Sequence, residues 1–219
     1  MRRDLAPVRL YLDFLEKVLL PLPIRWGLSP DHVTAIGLAL SVMAGLAYLF
    51  SPVAAGLLAL LSGLCDSMDG LLARRLGRAG QRGAFLDSVL DRYGESCLLV
   101  GMWVWISRDP GLATPAALAA FAALVGSFMI SYTRARGEGL NLEYRRGFLT
   151  RDERLVVIVI GSLADPLAPG RVLFLTLILL ALGTNLAALH RFRGIFLRLP
   201  ETDPQPDVST PEPPEPESM

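Results

Sequence analysis

Residues 66–91 read DSMDGLLARRLGRAGQRGAFLDSVLD. The first two carboxylates of this stretch, Asp66 and Asp69, are three residues apart, a spacing that places them side by side on one face of a helix. Gly70 and Ala73 fall on the same stripe, and their small side chains leave space for a ligand to approach the backbone. The first half therefore predicts a helix with one acidic face, on which small residues leave space for a ligand.

The second half of the stretch has a similar arrangement. Gly83, Asp87 and Asp91 follow one another at intervals of four residues, so they share one face of the next helix. Only a short arginine-rich turn separates the two halves, which predicts that the two helices are antiparallel neighbours. We therefore expect the four aspartates to converge.

The rest of the chain is strongly apolar. Hydrophobic residues make up 52% of the 219 residues and charged residues 19%, against about 25% charged residues in an average soluble domain. This composition excludes a disordered chain and differs from that of an ordinary soluble enzyme. Apolar segments lie at 32–50, 53–65, 84–106, 115–133, 155–164 and 172–189.

These six segments predict an all-α integral membrane protein with six transmembrane helices. A spanning helix needs about 20 residues, so the second and fifth segments are too short without their charged neighbours. Charged side chains at membrane depth are costly and usually functional, which makes the aspartate stretch the candidate site. Nothing in the sequence predicts binding of nucleic acid.

Basic residues are unevenly divided between the connections of the predicted bundle. Of the 20 arginines, only Arg108 and Arg171 fall on the side that holds the connections at 51–52, 107–114 and 165–171. The positive-inside rule therefore predicts a multi-pass protein of the cytoplasmic membrane, with both termini and the aspartates on the cytoplasmic side.

The two ends of the chain differ from its apolar body. Leucine and valine recur at helical spacing over residues 5–20 with charged residues between them, which predicts an amphipathic helix on the membrane surface. Residues 200–219 contain six acidic side chains, seven prolines and no basic side chain, a composition that cannot bury a core. We therefore expect a membrane domain over 1–199 and a disordered tail over 200–219.

Four aspartates in one pocket require a compensating charge. Their mutual repulsion and desolvation would be prohibitive without it. Oxygen ligands suit Mg²⁺ or Mn²⁺, whereas Zn²⁺ would be expected to have histidine or cysteine ligands. Two such ions form a clamp for phosphoryl transfer, with one aspartate left to accept a proton from an attacking hydroxyl.

The pattern D-x2-D-G-x2-A-R-x8-G-x3-D-x3-D, complete from Asp66 to Asp91, resembles the signature of the CDP-alcohol phosphatidyltransferase family. The resemblance covers about residues 20–195. It implies a membrane enzyme, commonly a homodimer, that transfers a phosphatidyl-type group from a CDP-lipid to a second alcohol and releases CMP.

The resemblance also implies a role for each matching residue. Asp66, Asp69 and Asp87 would bind metal, while Asp91 would bind the second metal and act as general base. The residues that would contact the CDP-lipid are Asp31, Thr34, Gly70, Ala73, Arg74 and Gly83. Asp31 also belongs to a Ser29-Pro30-Asp31 sequence that is typical of a helix N-terminus, and both interpretations can hold.

Arginines outside this motif bear on the identity of the acceptor. They end the fourth and sixth apolar segments and open the fifth. Guanidinium groups beside a two-metal site favour a phosphorylated acceptor over a cationic alcohol. The pieces S-Y-x-[KR]-A-R and G-F-x-x-R-x-E-R resemble those of phosphatidylinositol phosphate synthases, which implies that Arg134, Arg154 and Arg191 bind the phosphate of inositol phosphate.

Other interpretations remain open at this point. Glycerol 3-phosphate also carries a phosphate, so a phosphatidylglycerophosphate synthase fits the same arginines. Positive-inside topology and attraction to anionic lipid headgroups also explain basic residues at this face. A small transporter would use an aspartate-lined path without releasing CMP, and an aspartate-rich prenyltransferase would carry its two acidic motifs on separate repeats.

Overall fold

The computed structural model describes residues 10, 11, 13, 15–142, 144 and 147–200. This part of the chain is all-helical, which confirms the predicted class. The α-helices are α1 (Pro21–Arg25), α2 (Pro30–Ala47), α3 (Pro52–Arg75), α4 (Gln81–Ile106), α5 (Pro110–Glu138), α6 (Arg151–Ala164) and α7 (Arg171–Phe196). A π-helical turn at Leu15–Leu19 precedes α1, and a 3-10 turn at Asp165–Leu167 follows α6.

Four helices are long and apolar enough to cross a membrane, namely α2, α3, α5 and α7. Helix α4 has 26 residues, but its first half carries the charged groups of the motif. Helix α6 has 14 residues, so it extends only about 21 Å, less than the ~30 Å hydrocarbon core of a bilayer. Length and composition alone therefore identify four spans rather than six.

Helix α3 places the first pair of aspartates inside a continuous helix. It begins at Pro52 after Ser51, whose hydroxyl accepts a hydrogen bond from the Ala54 amide at 3.3 Å. The helix continues through the apolar segment to Arg75 without a break. Asp66 and Asp69 consequently lie in its C-terminal half, after the apolar run that ends at Cys65.

Helix α2 packs against both motif helices far more extensively than α3 and α4 pack against each other. The two motif helices are therefore brought together mainly through their shared packing on α2. Small residues allow the close approach: a Cβ placed on Gly101 would lie 2.5 Å from the carbonyl oxygen of Gly45. Towards α3, Ser41 and Ser62 are joined by a 2.7 Å hydrogen bond.

The remaining helices complete the bundle. Helix α5 packs on α7, and α6 packs on α3. Along α7, Leu175, Leu179, Leu182 and Leu186 are each 60–65% exposed, whereas Leu177 is fully buried. A continuous exposed stripe of leucines is unfavourable in water and favourable against lipid tails.

The predicted ends of the chain lie largely outside the described part. Residues 5–9, 12 and 14 of the predicted amphipathic helix are not among the described residues, and neither are 201–219 of the predicted tail. Both remain predictions. Within the described part, the Tyr11 hydroxyl donates a 3.0 Å hydrogen bond to Ser67 Oγ, next to the first aspartate of the motif.

Candidate active site

The aspartates predicted to converge do so where α2, α3 and α4 meet. One carboxylate oxygen from each of Asp66, Asp69 and Asp87 lies within 4.8 Å of the others. These three residues and Asp91 line one small cavity together with Thr34. The arrangement brings carboxylates from two helices to the mouth of the apolar bundle.

Two members of this trio lie in contrasting surroundings. Asp69 is 7% exposed, and its Oδ2 accepts a 2.6 Å hydrogen bond from the Thr34 hydroxyl of α2. Asp87 Oδ1 is buried and has no hydrogen-bond partner among the described residues. A buried carboxylate oxygen without a donor is costly. A bound cation would supply the missing partner.

The donor set fits a hard divalent cation. Carboxylate oxygens are the ligands that Mg²⁺ and Mn²⁺ prefer. Such an ion would offset the repulsion between the closely spaced oxygens of the trio. It would also coordinate the Asp87 oxygen that lacks a partner among the described residues. The described part of the chain therefore contains a trio of side chains suited to bind the metal that the sequence predicts.

Asp91 has a different partner. Arg151, the first residue of α6, directs one guanidinium nitrogen to Asp91 Oδ1 at 2.8 Å and another to Asp66 Oδ1. The helix start that positions it is fixed by Glu153, whose carboxylate accepts a 2.7 Å hydrogen bond from the Thr150 amide. No specific role for Arg151 was predicted from the sequence, although it stands in the quoted G-F-x-x-R-x-E-R piece.

A larger cavity of about 400 Å³ adjoins the aspartates. It lies between the N-terminus of α2, the C-terminal half of α3 and the beginning of α4. All six residues predicted to contact the CDP-lipid line it, namely Asp31, Thr34, Gly70, Ala73, Arg74 and Gly83. Asp69 and Asp87 line the same cavity, so its contents would lie directly against the trio.

Two further arginines line this cavity that sequence analysis did not single out. Arg78 belongs to the turn between α3 and α4, and Arg82 to the first turn of α4. With Arg74 they supply three guanidinium groups to one cavity, which suits a diphosphate. Their signal in the sequence was the arginine-rich composition of the turn.

A second cavity, of about 260 Å³, lies between α3 and α6. Its wall is largely apolar and includes Leu60, Leu155 and Val159. Asp66 and Arg151 also line it. An apolar cavity that opens next to the carboxylates is suited to a lipid substrate.

The arginines predicted to bind the acceptor are held by other contacts. Arg154 is 4% exposed and directs Nε and Nη2 to the two carboxylate oxygens of Glu95, at 2.6 and 2.8 Å. The Ser127 hydroxyl also donates to Glu95, at 2.9 Å. Glu95, which sequence analysis missed, is one helical turn beyond Asp91 on α4.

The other two predicted acceptor residues flank this pair. Arg134 is largely exposed and donates to Glu138 at 2.8 Å. Arg191 donates through Nη1 to the carbonyl oxygen of Ile130 at 3.2 Å, while its buried Nε has no partner among the described residues. The positive charges of Arg134 and Arg154 both act on Arg191. The three arginines thus form one basic group.

Known proteins resemble both the sequence and the fold. A family model described as CDP-alcohol phosphatidyltransferase matches residues 28–146. The archaetidylinositol phosphate synthase of Methanothermobacter thermautotrophicus is 32% identical over 180 residues, which cover 82% of this chain and 89% of that protein. The phosphatidylinositol phosphate synthase of Cutibacterium acnes is 43% identical over 96 residues, or 44% of this chain and 46% of that protein.

The fold agrees with a solved structure. The phosphatidylinositol phosphate synthase of Mycobacterium tuberculosis, solved with CDP-DAG bound, matches with a TM-score of 0.71 and 29% identity, covering 81% of this chain and 92% of that one. The same enzyme has been solved in complex with manganese and citrate. With the matched residues covering more than half of its length, this chain belongs to the CDP-alcohol phosphatidyltransferase family.

Proposed function

We propose that the protein transfers the phosphatidyl group of CDP-diacylglycerol, or of a related CDP-lipid, to a hydroxyl of inositol phosphate and releases CMP. The observation that carries this proposal is the junction of the aspartate trio with the 400 Å³ cavity. A diphosphate held by the arginines of that cavity would lie against the carboxylates. The named relatives support inositol phosphate as acceptor.

Different residues of the cavity would contact different parts of the CDP-lipid. Arg74 supplies a fork for the diphosphate. Gly70, Ala73 and Gly83 have little or no side chain, so the nucleotide can approach the backbone of α3 and α4. Asp31 and Thr34 at the start of α2 also line this cavity. The apolar cavity between α3 and α6 is suited to the acyl chains.

Asp66, Asp69, Asp87 and Asp91 would hold two divalent ions, Mg²⁺ or Mn²⁺. When bound, these ions neutralise the diphosphate and stabilise the leaving phosphate. Asp91 accepts the proton of the acceptor hydroxyl, whose oxygen forms a bond to the lipid-side phosphorus. The bond between that phosphorus and the bridging oxygen breaks, and the bridging oxygen leaves with CMP.

Arg134, Arg154 and Arg191 would bind the acceptor phosphate. Arg191 would use its buried Nε, which has no partner among the described residues, and Arg134 would use its exposed guanidinium group. Arg154 would act from within its pair with Glu95. Glycerol 3-phosphate is the second candidate acceptor, because its phosphate offers the same groups to these arginines.

The position in the membrane belongs to the same proposal. Helices α2–α7 would form six spans, with the short α6 and the charged start of α4 accommodated inside the bundle. The aspartates and both termini would face the cytoplasm, where CDP-lipid and soluble acceptor meet. We also expect a homodimer, as the family resemblance implies.

The test is release of CMP by purified protein in detergent, with CDP-diacylglycerol and Mg²⁺. Inositol 1-phosphate, glycerol 3-phosphate, free inositol and serine are offered separately. We expect release with inositol 1-phosphate alone. Release with glycerol 3-phosphate alone would keep the donor and the mechanism but replace the acceptor. Absence of release with each of them, while CDP-lipid still binds, would refute the proposed pair of substrates.

A further inference from the structure

We propose that Arg151 is an internal cation that holds Asp66 and Asp91 together until a divalent ion displaces it. This inference rests on the proposed role of the four aspartates in binding metal. It assigns a function to a residue that lies in the site but outside the predicted donor, metal and acceptor sets. Arg151 would set the affinity of the site for metal.

The contacts of Arg151 place it where a second ion would compete. Its two guanidinium nitrogens contact Asp66 and Asp91, which come from different helices. All three side chains are mostly buried, with 25%, 21% and 12% of their surfaces exposed. One planar fork therefore occupies carboxylate oxygens on both sides of the site.

Within the described part of the chain, the other pair of aspartates has no such cation. Asp69 accepts a hydrogen bond from Thr34, and Asp87 keeps an orphaned oxygen within the described part. The site is consequently asymmetric: one side is already neutralised and the other is open. A cation that uses Asp66 or Asp91 fully must take oxygens from Arg151.

The backbone around Arg151 is fixed, so displacement would be a movement of the side chain. Glu153 accepts a hydrogen bond from the Thr150 amide and fixes the start of α6. Arg154, one turn along, is held by Glu95 and by the carbonyl oxygen of Leu149. Arg151 also lines the 260 Å³ cavity between α3 and α6, which provides space for a moved guanidinium group.

Arg92 provides a matched control for simple electrostatics. Its Nη1 lies 3.8 Å from Asp91 Oδ2. Its guanidinium is held elsewhere, however, by the Ser131 hydroxyl at 2.6 Å and the Ser88 carbonyl at 2.5 Å. Removal of Arg92 takes away a nearby positive charge without freeing a carboxylate oxygen.

The experiment measures Mn²⁺ binding to purified full-length protein in detergent without CDP-lipid, using the electron paramagnetic resonance signal of free Mn²⁺. Wild type is compared with Arg151→Lys, Arg151→Gln and Arg92→Gln. Lysine keeps the charge but cannot form the fork, so competition predicts tighter binding by Arg151→Lys, on the order of tenfold. Arg151→Gln should bind at least as tightly, and Arg92→Gln should change affinity by less than about threefold.

Thermal unfolding gives a second readout. Without metal, Arg151→Gln should unfold at a lower temperature than wild type, because its carboxylates lose their cation. Mn²⁺ should raise the unfolding temperature of this variant more than that of wild type, since tighter ligands stabilise more.

Three results would overturn the inference. Unchanged or weaker Mn²⁺ binding by Arg151→Lys would show that Arg151 does not compete for the site. An equal increase in Mn²⁺ affinity in Arg92→Gln and Arg151→Gln would show that the effect comes from overall charge and not from competition for carboxylate oxygens. Failure of every form to bind Mn²⁺ would remove the proposed metal site together with this inference, whereas binding by wild type with no effect of Arg151 would remove the inference alone.

Discussion

The buried pair of Arg154 and Glu95 allows a prediction about stability that can be separated from one about activity. The two side chains are 5% and 11% exposed and are joined by two hydrogen bonds at 2.6 and 2.8 Å. Replacing Arg154 by Met leaves the Glu95 carboxylate buried without its cation. Replacing Glu95 by Leu leaves the Arg154 guanidinium buried without its anion.

The expected size follows from the burial of both groups. Removal of one partner from a buried pair destabilises a protein by about 3–5 kcal/mol, because an uncompensated charge remains inside. For a chain of this length that corresponds to a fall in Tm of roughly 6–20 °C. In the double variant no charge is left unpaired. Among the described residues, only the Ser127 hydroxyl and the Leu149 carbonyl lose a partner, which costs about 1–2 kcal/mol.

The assay is thermal unfolding in detergent of wild type, both single variants and the double variant. Glu138→Leu is the matched control, because Glu138 pairs with Arg134 at 2.8 Å on the exposed surface. We expect that control to change stability by less than about 1 kcal/mol. A double variant that loses as much as the two single variants together would refute the reasoning, and so would single variants with the Tm of wild type.

The same double variant tests the proposed binding role of Arg154. If it is as stable as expected, any loss of activity reflects the missing guanidinium rather than unfolding. We expect its KM for the acceptor to rise and its KM for the CDP-lipid to stay near that of wild type. An equal rise in both would argue against a role specific to the acceptor.

Three other predictions concern the reaction itself. Asp91→Asn should keep CDP-lipid binding but lose at least about 100-fold in turnover, since the proton acceptor is gone; a near-normal rate of CMP release would exclude Asp91 as the base. Arg74→Ala should raise the KM for CDP-lipid by about tenfold with little change for the acceptor, because a charge-assisted contact to the diphosphate is lost. Chelation of divalent ions should abolish CMP release and either Mg²⁺ or Mn²⁺ should restore it, whereas activity that survives chelation would contradict a metal-dependent mechanism.

Patterns within single helices were readable from the sequence. The intervals between Asp66 and Asp69, and between Asp87 and Asp91, predicted shared faces on two helices, and all four residues line one cavity. The apolar segments predicted helices α2–α7, because periodic hydrophobicity is a local property. Ser29 likewise precedes α2, where its side chain accepts a hydrogen bond from the His32 amide.

Contacts between distant helices were not readable in this way. Arg151 and Arg154 are both arginines at the start of one helix, and the sequence alone does not distinguish their partners. In the structure, Arg151 pairs with Asp91 and Arg154 with Glu95, one turn further along α4. These two successive ion pairs form a ladder between α6 and α4. The ladder depends on how α6 is rotated and shifted along its axis relative to α4. Both properties follow from the packing of α6 on α3 and of α4 on α2, rather than from any local pattern.

The ladder also explains why the charged groups can share the end of an apolar bundle. Arg154 neutralises Glu95 inside the protein, and Arg151 neutralises the side of the site formed by Asp66 and Asp91. Asp69 and Asp87 are left without a contacting cation in the described part of the chain, and they line the cavity proposed for the diphosphate. The attraction for a divalent ion is therefore strongest on the side where the donor would bind. On the side of the general base, a metal ion would first have to compete with Arg151. Asp91 would then be released from Arg151, and able to accept a proton, only when metal is bound.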